Sequence, residues 1–170
     1  MILRRLFSAC LGLALGLGFY LAYRSDYTLS NRLVRHLCGS ANFVHFQQEL
    51  RHWLPVPLLL RGSLPSALWC FVVTSLVGGW KVSVDGRIIV QLVWLAPLFN
   101  ACWEFIQWIG WTDGHADLMD VVAGLVGWFV ARHIFIRSTK PVEEIPDFKD
   151  WRVAVVVAGI ACMGFADVWK

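Results

Sequence analysis

The sequence predicts an all-α integral membrane bundle of about five transmembrane helices, with one short amphipathic helix lying in the interface. Three observations carry this. Of the 170 residues, 58% are hydrophobic and 16% charged, where soluble domains carry about 25% charge. The mean hydropathy is +0.59. Ten Trp and eleven Phe suit a chain with two water–lipid interfaces to line. Residues 1–170 read as one membrane domain.

The first span covers residues 6–23, behind Arg4 and Arg5. Its charged start and apolar middle look like a signal peptide, but no small-x-small site ends it, so an uncleaved anchor is expected. In the polar stretch that follows, Asn42 is placed to cap a helix over residues 42–54. There Phe43, Phe46, Leu50 and Trp53 form one apolar stripe, the pattern of an interfacial helix. His45, Glu49 and His52 occupy another face at i, i+4 and i+7, where water explains them as well as a metal does. Pro55 and Pro57 end this helix. The second span, residues 64–80, is expected to open with Pro65 in its first turn, where a missing N–H does no harm. The third and fourth cover residues 88–108 and 118–136. The fifth, residues 153–169, is the shortest and has Asp167 near its end; a span needs about 20 apolar residues, with 17 tolerable.

Net charge is +3, and the Lys and Arg residues sit between apolar blocks. They read as topology signal and contact with membrane lipids, with no nucleic-acid surface. With the N-terminus in the cytoplasm of a bacterial inner membrane, Arg4, Arg5, Lys81, Arg87, Arg132, Arg137, Lys140, Lys149 and Arg152 fall inside. Arg24, Arg32, Arg35, Arg51, Arg61 and Lys170 fall outside. The five cysteines are scattered singly, so neither a zinc knuckle nor a redox pair is indicated, and buried packing is expected of them.

Polar residues gather around the connection between spans three and four. A carboxylate at a helix centre in hydrocarbon costs roughly 2.5–3.5 kcal/mol even on the lenient scales, so something must pair, solvate or use it. Asn100, Glu104 and Gln107 fall at i, i+4 and i+7, one stripe. Asp117, Asp120, Gly124 and Gly127 form another on the next helix. A connection of about nine residues makes these helices antiparallel neighbours, bringing Glu104 and Gln107 near Asp117 and Asp120 at one membrane surface. Asp117 suits an N-cap, with Asp120 at N3 as in a capping box. In that reading the cluster serves capping and packing in a non-catalytic scaffold that meets membrane-protein partners. In the other, Glu104 is a general acid or base, Gln107 positions a substrate, and Asp117 and Asp120 bind a cation or hydroxyl groups. Carboxylates suit Mg²⁺ or Ca²⁺, and His115 would admit a softer metal. No Ser or Cys is paired with a His base, and there is neither a phosphate-cradling loop nor an HExxH. A proton-coupled transporter is disfavoured because the chain shows no internal repeat.

Glu104-x-x-Gln107, followed by Gly114-x-x-Asp117-x-x-Asp120 and Gly127, resembles the signature of VanZ-like membrane proteins. Leu64-Pro65-Ser66, opening an apolar span, is similar to the start of a helix in that family. The resemblance covers residues 64–135. It departs at Gly124, where the family usually has asparagine. It implies a multi-helix bacterial membrane protein, of a family whose founding member is linked to low-level teicoplanin resistance; the substrate of the catalytic reading above would be an envelope or lipid-linked one. The resemblance names neither a biochemical activity nor a cofactor.

Overall fold

A computed structural model describes residues 2–23, 29–53, 55–84, 87–111, 116–136 and 143–144. Helices form the body: α1 Ile2–Tyr23, α2 Leu29–Cys38, α3 Ser40–Trp53, α4 Leu58–Val77, α5 Leu95–Trp108 and α6 Leu118–Ala131. A π-helical turn, Arg132–Ile136, prolongs α6. Strands β1 Trp80–Val84 and β2 Arg87–Gln91 lie between α4 and α5, and β3 Glu143–Glu144 pairs parallel with β1. By length and composition, two helical stretches among the described residues can cross a membrane, Leu60–Val77 and Leu118–Phe135, with hydropathies of 1.4 and 1.5.

Small residues let the helices close on α4. On α1, a Cβ at Gly12 would stand 2.6 Å from Val72 Cγ2, and Gly16 faces Leu68. This is a GxxxG approach between antiparallel helices. On the other flank, Gly127 of α6 lies against the backbone of Ala67, and Gly124 lies against Cys70 and Asn100. Trp69, Cys70, Val73 and Val77 then meet Val93, Ala96 and Trp128 in a continuous core. The Trp128 indole is satisfied there, donating to the Val93 carbonyl at 2.8 Å. Its ring stacks on Trp94 at 4.5 Å, with the Arg132 guanidinium 5.3 Å from its centroid.

The outer faces are apolar. Leu11 and Leu17 of α1, Leu98 and Phe105 of α5, and Val122, Val126 and Phe129 of α6 are all exposed. Such a continuous apolar surface is foreign to a monomer in water and ordinary against lipid.

Several expectations shift. The second span was expected over residues 64–80; α4 instead starts at Leu58 behind Pro57. Pro65 therefore sits inside the helix rather than in its first turn, tolerable because neighbouring helices can compensate the lost N–H. The third span is not one helix over residues 88–108. Its first part is strand β2, paired with β1 so that Val84 faces Arg87. The reason is local: β-branched Val82, Val84, Ile88, Ile89 and Val90 flank Asp85-Gly86, a strong hairpin signal. This leaves α5 with 14 residues.

The interfacial helix begins at Ser40, so Asn42 is not its cap; the Asn42 amide donates instead to the Cys38 carbonyl at 2.8 Å. Gly39, at φ +83°, ends α2 by donating to Arg35 O and starts α3 by accepting from Phe43 N. Its missing Cβ permits that left-handed turn. Phe46 and Trp53 stay exposed, and α3 buries Phe43 and Gln47. His45, Glu49 and His52 form no metal-holding group; none of three or more occurs among the described residues. Of the described cysteines only Cys70 is buried, while Cys10, Cys38 and Cys102 face outward. The fifth span, residues 153–169, lies outside the described residues.

Chain direction fixes the ends. Because α1 is antiparallel to α4 and the β1–β2 hairpin reverses the chain before α5, one end of the bundle gathers the close of α1, the start of α4 and the α5–α6 connection. The Arg61 guanidinium, 4.9 Å from the Tyr23 ring centroid, joins the first two.

Candidate functional site

The α5–α6 connection holds the predicted site. α5 ends in a Schellman motif: Trp111 N donates to Ile106 O at 3.1 Å, and Gly110 N to Gln107 O at 3.0 Å. Gly110, at φ +76°, supplies the left-handed residue this needs. The chain then returns to α6, whose N-cap is Asp117. The Asp117 Oδ1 accepts from Met119 N at 2.8 Å, and Asp120 N donates to Asp117 O at 3.0 Å. Asp120 occupies N3, as its spacing predicts.

Glu104, 8% exposed on α5, reaches across to this cap. Its Oε2 accepts the backbone N–H of Asp117 at 2.8 Å. With the Gln107 amide assigned so that both its groups are satisfied, its nitrogen donates to Glu104 Oε2 at 3.3 Å and its oxygen accepts the Trp103 indole N–H at 3.1 Å. One turn deeper, Asn100 Nδ2 donates to the Asp120 carbonyl at 3.0 Å. Glu104, Gln107 and Asp117 are thus brought together. Asp120, half-buried, is tied to α5 through its backbone carbonyl. His115 lies outside the described residues.

Sequence reasoning placed Asn100 in the polar stripe without a partner. It also passed over Trp103, although Trp103 and Gln107 stand at i and i+4. Beside Gly124, the Asn100 amide from α5 occupies the volume a side chain there would take.

Two carboxylates at the start of α6 are favoured by its dipole, which presents partial positive charge at that end. Asp117 is exposed and spends one acceptor site on Met119; an ionised carboxylate has about four lone-pair sites, so others can meet a cation or a hydroxyl. At the close of α5, Trp108 and Trp111 are 73% and 79% exposed, the amphipathic rings expected at a lipid–water boundary. The chain matches no protein-family model, no curated protein and no solved structure.

Proposed function

We propose that the chain is a multi-span protein of the bacterial inner membrane, of the VanZ-like kind. In this reading its N-terminus is cytoplasmic and the α5–α6 hairpin presents an acidic site to an envelope or lipid-linked substrate at the outer surface. The observation that carries the reading is the convergence of Glu104, Gln107 and Asp117 at one end of the hairpin, beside exposed Trp108 and Trp111. In it, Glu104 holds the hairpin closed and polarises the site, Gln107 fixes the Glu104 carboxylate, and Asp117 offers oxygens to the substrate.

A specific bond favours a second reading. The Glu104 oxygen is committed to the Asp117 amide, which is what a structural clasp requires. The protein is then a non-catalytic scaffold for membrane-protein partners, with the acidic cluster serving capping and packing.

Glu104→Gln separates the two. It keeps an acceptor oxygen for the Asp117 amide and removes the charge. A lost cellular phenotype at unchanged abundance and melting temperature supports the site; an intact phenotype leaves the clasp. Single cysteines at position 112 (Thr112→Cys) and position 138 (Ser138→Cys), on a cysteine-free background, test the orientation. Labelling at 112 alone from outside intact cells supports it, and the reverse pattern overturns it.

A further inference from the structure

The α2–α3 corner is absorbed by neither reading. On α2, Arg32, Arg35 and His36 fall at i, i+3 and i+4, one helical face. Gly39 turns the chain sharply, so that Ser40, the first residue of α3, closes the other side. Together they line an open concavity of about 390 Å³. α3 opens onto it, and its amide-rich first turn adds to the positive field. Across α2 and α3 stand Arg32, Arg35 and Arg51 against Glu49, an excess of positive charge.

Apolar surface adjoins this basic face. Leu33 and Leu37 of α2 are 57% and 75% exposed, and Phe46 and Trp53 of α3 are exposed as well. A free anion in water needs no such surround; a lipid supplies a phosphate and acyl chains at once. The corner also stays with the bundle end. Gln47 Nε2 donates to Leu21 O at 2.9 Å and Arg51 Nε to Ala22 O at 2.7 Å, docking α3 on the close of α1. The basic concavity therefore belongs to the same end as the polar rim of the spans.

We propose that this corner binds the phosphate headgroup of an anionic phospholipid. Arg32 and Arg35 grip the phosphate through forked N–H pairs, His36 and Ser40 complete the wall, and Leu33 and Leu37 lie along the acyl chains. The proposal rests on the membrane reading, and the two fail separately. Release of the full chain from membranes by alkaline carbonate sinks the membrane reading, whereas the following measurement addresses the corner alone.

The full chain in neutral detergent is titrated with short-chain phosphatidylglycerol, short-chain phosphatidylcholine and inorganic phosphate. Phosphatidylglycerol is expected to bind tightest and to raise the melting temperature. Arg32→Gln with Arg35→Gln should weaken it roughly thirtyfold, at about 1 kcal/mol per basic residue near the headgroups. Arg132→Gln, at the other end of the bundle, should bind as the parent does. Arg32→Lys with Arg35→Lys keeps the charge but loses the fork, and should bind more weakly than the parent and more tightly than the glutamine pair; if the glutamine pair fails to fold, the lipid preference of the parent and this lysine pair decide. Equal binding of the two lipids overturns the proposal. So does a folded glutamine pair that binds like the parent, an equal loss in Arg132→Gln, or inorganic phosphate binding as tightly as phosphatidylglycerol.

Discussion

The Glu104 carboxylate accepts the backbone N–H of Asp117 at 2.8 Å, from one helix to the cap of the next. In a capping box the residue at N3 reaches back to this same amide. Here Asp120 holds N3, yet the bond comes from α5. Removing the acceptor with Glu104→Ala strands a part-buried donor, at a cost of about 1–3 kcal/mol. Glu104→Gln should lose less, because an oxygen remains. Thermal melting in detergent checks the order, and equal losses would show that charge, not the bond, does the holding.

Asp117→Ala removes the acceptor for Met119 N and should cost about 1 kcal/mol, while Asp117→Ser, another good cap, should recover most of it. Chemical denaturation of both variants measures the gap. If Ser is no better than Ala, Asp117 is not acting as a cap.

The glycines of the bundle should respond to alanine with opposite signs. Gly62 in α4 has open space where a Cβ would stand, so Gly62→Ala should stabilise by about 0.5–1 kcal/mol through backbone entropy. Gly127 meets the Ala67 backbone, which cannot step aside, and Gly127→Ala should destabilise by about 1–3 kcal/mol. Gly124→Ala meets the side chains of Asn100 and Cys70, so its cost should shrink in an Asn100→Ala background. Melting temperatures of the three glycine variants, of Asn100→Ala and of the Gly124–Asn100 double variant test this, and an additive Gly124–Asn100 pair would refute the shared volume.

Gln47 and Arg51 cover the last carbonyls of α1, Leu21 and Ala22. Gln47→Ala should leave the Leu21 carbonyl short of a partner and loosen the close of α1. Hydrogen exchange over residues 17–23 should rise while that of α6 stays put; unchanged exchange would mean that packing alone holds the joint.

The pairing of Glu104 with Asp117 was legible in spacing, because helix periodicity and a nine-residue connection leave little freedom. Its chemistry was not: the partner is a backbone amide, and side-chain patterns say nothing of amides. The β1–β2 hairpin was legible and overlooked, since the apolar run after Arg87 fits a buried strand and a spanning helix equally until Asp85-Gly86 is weighed. The start of α3 turned on Gly39, where a left-handed turn outweighed the capping preference of Asn42. The buried face of α3 was harder still. Gln47 outranks Phe46 inside because it satisfies the end of another helix, a tertiary demand that hydropathy cannot register.

α5 has a consequence for how the protein is made. Its 14 residues span only about 21 Å, short of a hydrocarbon core of roughly 30 Å, and it carries Asn100 and Glu104. Such a segment enters lipid poorly by itself. The partners of both polar side chains lie just ahead in the chain, at Asp120 and Asp117. Under the proposed membrane reading, α5 would therefore enter the bilayer only once α6 has emerged, the two as a pre-paired unit, and truncation of the nascent chain before Asp117 would strand α5 outside it.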